Sequence, residues 1–232
     1  MLTLWPADER GTFDLDWLQS RQTFSFGEFY DPAKMGWRSL RVINDDHIAP
    51  GGGFPLHPHR DMEIFSYLLA GELEHRDSLG TTARIASGRA QFMSAGTGLR
   101  HSEYNPSKIN STHLFQIWIL PRAPGGPPAY QEIAYTPADT DNRLKLLADP
   151  QGADGSMTIR QDARIHTARL APGQTLSLPL APRQGGWLQL LTGALTLGQV
   201  TLTPGDACAC ENEPRLAARA TIPSEFLWFT FD

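Results

Sequence analysis

The chain has 232 residues, 41% hydrophobic and 19% charged, which excludes a disordered or fibrous polymer and admits one large domain or two modest ones. Glycine (21) and proline (18) make up about one residue in six, a proportion that suits many short elements and tight turns. The formal charge is −5, and the basic residues, only three of them lysine (Lys34, Lys108 and Lys145), are scattered singly, leaving no surface that would track nucleic-acid phosphates.

The opening MLTLWPADER lacks a basic segment followed by an apolar run, and no stretch approaches the roughly 18 apolar residues of a membrane span. A soluble, cytoplasmic protein with no membrane partner is therefore expected. Residues 13–19 carry the one pattern that suits a short helix. Extended apolar or alternating segments follow at 39–44, 63–69, 114–120, 187–191, 195–202 and 225–231. Turn signals separate them: APGGG at 49–53, AG at 70–71, SAGTG at 94–98 and TPGD at 203–206. Many strands with tight turns predict an all-β sandwich or barrel. The densest breaker, PRAPGGPP at 121–128, can neither continue a strand ladder nor hold a helix, and it places a domain boundary between residues 1–122 and 123–232.

The two sides resemble each other. IAPG at 48–51 matches LAPG at 170–173, and YLLAGEL at 67–73 matches QLLTGAL at 189–195, both at an offset of 122. One block could arise by chance, but two in a single register indicate a duplicated domain. Past them the register breaks: the first copy runs 17 residues from Gly71 to Gly88 and the second only 5 from Gly193 to Gly198, as a shorter hairpin would produce.

Five of the seven histidines lie between positions 47 and 101. His57 and His59 stand in HPHRDME, and His101 in RHSEYN is followed two residues later by Glu103. Side chains at i and i+2 of a strand share a face, so two such pairs facing each other make a four-ligand set. Three imidazoles and a carboxylate suit a divalent transition metal such as iron, manganese, nickel, copper or zinc; the ligands alone do not choose among these, and iron(II) is the expected ion, with cobalt as a further alternative. Four protein ligands leave positions open for substrate or dioxygen, which favours catalysis over a structural role. A single H-x-H is more often a surface turn; the second pair, and the apolar, glycine-rich approach APGGGFPL, favour the metal. Cys208 and Cys210 are too close for a structural disulfide and have no further thiol to complete a metal site, so they read as ordinary strand residues in a reducing compartment. His47, His75 and His113 read as satisfied polar residues or supports for the ligands, and His166 as a surface residue.

The string Gly51-x5-His57-x-His59-x3-Glu63-x7-Gly71 fits the first cupin motif, and the run from Gly88 through Gly96 to His101 and Asn105 loosely fits the second. FPLHPHRDMEIFSYLLAGELEHRDSLG followed by SAGTGLRHSEYNPS resembles the pirin family in particular, a likeness spanning about residues 36–120 and including LRVINDD and LFQIWILP. Ser94 stands where the general second motif has proline, and four rather than two residues separate Gly96 from His101. The resemblance implies two tandem cupin domains, jelly-roll-like β-barrels, with a metal held by His57, His59, His101 and Glu103. Glu63, whose counterpart binds the metal in many other cupins, would here support the ligands instead. At the offset of 122, Pro179, Ala181 and Gly185 match His57, His59 and Glu63, and past the shortened hairpin Glu211 and Glu213 match His101 and Glu103. The C-terminal domain is therefore expected to be degenerate and metal-free.

The resemblance also implies quercetin 2,3-dioxygenase activity, in which a flavonol ring is opened by dioxygen with release of carbon monoxide. A flavonol 3-hydroxyl on a divalent cation loses its proton more readily. Glu103 is expected to accept that proton, acting as both ligand and general base. The rival reading is a non-enzymatic, metal-dependent redox sensor that regulates through a protein partner. A sugar-isomerase or storage cupin would share the barrel but not the HSEYN wording. A monomer is expected. Phe54, Phe65, Tyr67, Phe92 and Trp118 stand open between core and pocket lining.

Overall fold

The computed structural model describes residues 1–213 and 216–232, and among these the chain is built almost wholly of strands. The one α-helix there, Pro137–Thr140, is a single turn, and no helix is long and apolar enough to cross a membrane. Two compact units are present: Arg10–Ala134 with Ile159–Gln161, and Met1–Glu9 with Tyr135–Thr158 and Asp162–Asp232. These units do not follow a division at 122/123. Strand β1 (Leu2–Trp5) pairs with Ala207–Glu211 of the C-terminal unit, and Ala129–Ala134, beyond the PRAPGGPP breaker, pairs back onto Arg89–Ser94. The breaker stops a ladder without stopping the chain from returning to the same sheet.

The N-terminal unit contains β2 (Gly11–Leu15), β3 (Leu18–Gln22), β4 (Leu40–Ile48), β5 (Gly53–His59), β6 (Glu63–Ala70) and β7 (Glu72–Asp77). It continues with β8 (Thr82–Ala86), β9 (Arg89–Ser94), β10 (Leu99–Tyr104), β11 (Thr112–Ile119) and β12 (Ala129–Ala134). Seven of these form a sheet in the order β12-β9-β6-β11-β4-β3-β2, and four form a second in the order β5-β10-β7-β8. All pairs are antiparallel, as the cupin resemblance requires. One inward layer of the larger sheet is apolar, with Leu18, Ile48, Leu68 and Leu114 buried together.

The helix expected at 13–19 is instead a hairpin. Leu15 pairs with Leu18 across Asp16 and Trp17, and β3 buries Leu18, Ser20 and Gln22 in strict alternation. A helix of two turns gains little by itself, whereas β3 satisfies its backbone against both β2 and β4.

The C-terminal unit holds β1 with β13 (Lys145–Asp149), β14 (Met157–Thr158), β15 (Ala163–Leu170), β16 (Thr175–Leu178), β17 (Gly185–Leu197), β18 (Val200–Leu202), β19 (Ala207–Glu211) and β20 (Leu216–Phe231). Its core is apolar: Leu188, Leu190, Phe226 and Trp228 are fully buried around Cys208 and Cys210, which are free thiols. The strand expected at 195–202 is split by a turn at Gly198 and Gln199 into the end of β17 and β18. His166 is not a surface residue: it is half-buried on β15, its Nδ1 is inaccessible, and burial holds the imidazole down at about 4.

Gly53 is the position where β5 comes closest to β10, for a Cβ there would lie 2.3 Å from the Glu103 carbonyl oxygen and 2.6 Å from Tyr104 Cα. Gly53→Ala is expected to lower the unfolding free energy by about 1–3 kcal/mol, read as a lower urea midpoint with an unchanged slope. An unchanged midpoint would mean that the two strands can separate without penalty.

Candidate metal centre

The site is made by two antiparallel strands of the smaller sheet. His59 pairs with Leu99 and His57 with His101, after which the register slips so that Glu103 faces Phe54. His57 and His59 project to one side of β5, and His101 meets them from β10. The three ring centroids lie 4.5 to 4.8 Å apart, and the ligand atoms of the three imidazoles all fall within 4.8 Å of one another. Glu103 joins through His101, with His75 as the third member of a second such group. The arrangement is thus three donors plus one, reached from the same two strands that the i, i+2 spacing picks out.

Hydrogen bonds fix which nitrogen of each ring is available. Asp77 Oδ2 lies 3.1 Å from His75 Nε2, so that nitrogen donates, and His75 Nδ1 is left as an acceptor. His101 Nδ1, 3.3 Å away, donates to it, which leaves the His101 Nε2 lone pair free. Asp77 is itself fixed by the backbone N–H groups of Leu79 and Thr81, and His75 is stacked on Tyr130 at 4.6 Å. His57 Nδ1 donates to the Pro55 carbonyl at 2.7 Å, again leaving Nε2 free. The two free Nε2 atoms face each other at 3.1 Å. Lone pairs this close repel unless a cation lies between them, and two nitrogens bound at right angles to one ion at about 2.1 Å would stand roughly 3 Å apart. The donor set therefore fits a divalent transition metal. Burial, with His101 and His57 adding to it, holds His59 down at about 3, and burial with His57 and His75 does the same for His101. Both rings are neutral at physiological pH, as ligation demands.

Glu103 is held by residues that the sequence reading missed. Gln91 Nε2 donates to its Oε1 at 2.5 Å and Gln116 Nε2 to its Oε2 at 2.7 Å. Ser66 Oγ donates to Gln116 Oε1 at 2.8 Å and accepts from Gln91 Nε2 at 3.2 Å, so both amides are oriented with their nitrogens toward the carboxylate. These residues belong to a polar row that crosses five strands at one level: Gln22 pairs with Asn44, Asn44 with Gln116, Gln116 with Ser66, and Ser66 with Gln91. All five are buried. The signal was present in the sequence as a polar residue at an inward position of each strand, two residues from a buried leucine in β6 (Leu68) and β11 (Leu114).

Beside the metal centre lies a cavity of about 430 Å³, lined by His57, His59 and Glu103 and walled by Phe13, Phe26, Phe54 and Trp118. Phe54 and Trp118 are thus lining residues, Trp118 standing edge-on to His59 at 4.9 Å, whereas Phe65, Tyr67 and Phe92 are fully buried. Glu63 accepts hydrogen bonds from Ser94 Oγ and the Arg160 backbone N–H, and not from His57, His59 or His101. It fastens the segment Ile159–Gln161 to its unit. His113 pairs with Asp45 at 2.7 Å, stacks on His47 at 3.9 Å and shares Asp45 with Arg10. Burial raises that carboxyl, but His113 and Arg10 outweigh it and hold Asp45 below its ordinary value. With an arginine on the carboxylate, this second cluster is an ion-pair network.

A family model for pirins matches residues 6–119, and one for the quercetinase C-terminal cupin domain matches residues 146–231. A quercetin 2,3-dioxygenase of Escherichia coli K12 is 41% identical over 229 residues, covering 99% of this chain and 98% of its own. The chain belongs to the pirin family. A pirin-like protein of Caulobacter vibrioides is 38% identical over 228 residues, 98% of each chain. The crystal structure of a bacterial pirin from Escherichia coli in complex with nickel(II) matches with a TM-score of 0.95 at 40% identity, covering 100% of this chain and 99% of that one.

In this pirin the tautomer of His101 rests on Asp77. Asp77→Asn keeps the Oδ1 that accepts from Leu79 and Thr81 but turns a donor toward His75 Nε2, which drives His75 and then His101 into the wrong tautomer. Metal affinity is expected to fall about 10–100-fold, measured by competition with a chromogenic chelator, with thermal unfolding little changed. Unaltered affinity would show that the relay does not set the ligand.

Proposed function

We propose that this pirin is a metal-dependent quercetin 2,3-dioxygenase that opens the ring of a flavonol with dioxygen and releases carbon monoxide, using iron(II) held by His57, His59, His101 and Glu103. The observation that carries the reading is the position of the aromatic-walled cavity directly against His57, His59 and Glu103. Its volume lies in the range of small-molecule sites, about 300–1,000 Å³. When bound, the metal would acidify the flavonol 3-hydroxyl and offer dioxygen an open position.

The chain's own residues supply the rest. Phe26, Phe54 and Trp118 give flat apolar faces to a planar ring system and keep water from the reacting centre. Each Glu103 oxygen has two lone pairs, and the amides of Gln91 and Gln116 use one on each. The others remain for the metal and for the proton leaving the 3-hydroxyl, so Glu103 serves as ligand and general base. Tight fixation by two amides keeps its oxygens aimed at the cavity, an arrangement that a purely structural carboxylate does not need. A redox sensor acting through a protein partner has no use for an aromatic-walled cavity beside its metal, so the cavity favours the enzyme over that rival. The quercetin 2,3-dioxygenase name of the Escherichia coli relative supports the same reading.

Glu103→Gln retains one acceptor oxygen but no base. Protein reconstituted with iron, manganese, nickel, copper, zinc or cobalt is expected to consume quercetin aerobically and evolve carbon monoxide with at least one ion, and the variant to lose about 10²–10⁴-fold in kcat while still binding metal. Full activity in the variant would remove the general-base role; absence of quercetin loss with every metal would remove the dioxygenase reading.

A further inference from the structure

The polar row across the N-terminal unit is used at one end only. Gln91, Ser66 and Gln116 bond to one another and to Glu103. At the other end, Gln22 Oε1, Asn44 Oδ1 and, one inward step along β4, Asp46 Oδ1 are buried without a hydrogen-bond partner. Gln22, Asn44 and Asp46 are 2%, 4% and 2% exposed, and all three line the cavity that holds the metal ligands. Gln22 pairs with Asn44 across β3 and β4, and residues 44 and 46 share a face of β4, so the three acceptors form one patch. Burial pushes the Asp46 carboxyl up to about 7, with the hydroxyl of Ser20, its cross-strand neighbour, opposing the rise.

Buried oxygens without hydrogen-bond partners are unfavourable in a folded protein unless a group that enters the cavity pairs with them. Phe13, Phe26, Phe54 and Trp118 stand in the same wall, and their faces suit a flat ring as the entering group. We propose that Gln22, Asn44 and Asp46 form a second anchor in the cavity that accepts hydrogen bonds from hydroxyl groups on the substrate rings remote from the metal, selecting polyhydroxylated flavonols over flavonols that carry only the metal-binding hydroxyl. This deepens the dioxygenase reading and rests on it for the flavonol core. The acceptor patch also explains why the row is polar beyond the part that Glu103 needs: Gln22 and Asn44 do not touch Glu103, and a leucine at either position would fill the same space without leaving an unpaired oxygen.

The test uses zinc-loaded full-length protein under anaerobic conditions, which separates binding from turnover. Dissociation constants for 3-hydroxyflavone, galangin, kaempferol and quercetin are read by quenching of tryptophan fluorescence. Wild-type protein is expected to bind the most hydroxylated members about tenfold or more tighter than 3-hydroxyflavone. In Gln22→Leu and Asn44→Leu that ratio should collapse toward one, with metal content and urea midpoint confirming that the variants are folded. The wild-type series decides the matter even where a variant does not fold: equal affinities across it, as when ordered water already satisfies the three oxygens, overturn the proposal, and so does a preference that survives both substitutions. The two readings fail separately. Flavonol turnover without any hydroxyl preference leaves the dioxygenase standing and removes the anchor; hydroxyl-dependent binding without turnover on any metal does the reverse.

Discussion

Everything at the metal centre depends on how β5 and β10 pair. Antiparallel register puts His101 across from His57, and a slip of that register directly afterwards carries Glu103 round to Phe54. Without the slip, β10 would continue its regular ladder and Glu103 would face a different point of β5. With it, one short strand delivers a ligand to the imidazole cluster and a carboxylate to the cavity wall. The close approach at Gly53, next to Tyr104, holds the two strands tight at the slip. A bulge-like irregularity beside a functional site re-aims side chains in this way at the expense of ladder hydrogen bonds.

Burying so much polarity in a barrel is tolerable only where each group has a partner. Around His101 and Glu103 the N-terminal unit meets this condition by chaining its groups. Asp77 orients His75, which orients His101, while Ser66 orients the two glutamines that hold Glu103. Both chains end on a residue proposed to hold the metal, so His101 and Glu103 are fixed by packed, hydrogen-bonded neighbours from β6, β7, β9, β11 and β12 and not by their own strand alone. Preorganisation of this kind is what a metal site requires to hold its donors ready against their mutual repulsion.

Much of this was legible in the sequence because it follows a period of two. His57 with His59, and His101 with Glu103, are i, i+2 pairs, and the all-β class followed from the density of turns. Each strand shows a polar residue at an inward position, but the row they form was not legible, since its five members lie on five strands and are neighbours only through register, which one sequence does not reveal. The hairpin at residues 11–22 was missed for a related reason: seven residues carry too short a pattern to separate a helix from two strands, and the pairing with β4 that decides it is not local. Glu63 misled through its place in the cupin motif, because its partner Arg160 lies 97 residues away. The placement of β1 and β12 was hidden likewise, as each pairs with a strand distant from it in the chain or across the breaker.

The C-terminal unit carries a different interior at the matching offset. Ser66, a member of the polar row, lies 122 residues before Leu188, and Leu68 lies the same distance before Leu190. Leu188 and Leu190 are both fully buried in an apolar core with Trp228 and Phe226. A serine that orients a glutamine in one copy is thus a leucine that packs in the other. Polar residues in a barrel interior carry a desolvation penalty that packing cannot recover, so they persist where a ligand, a carboxylate or a substrate uses them, and apolar side chains occupy the same level where none does. The contrast argues that the row in the N-terminal unit, including the end that Glu103 leaves unused, is there for what enters the cavity.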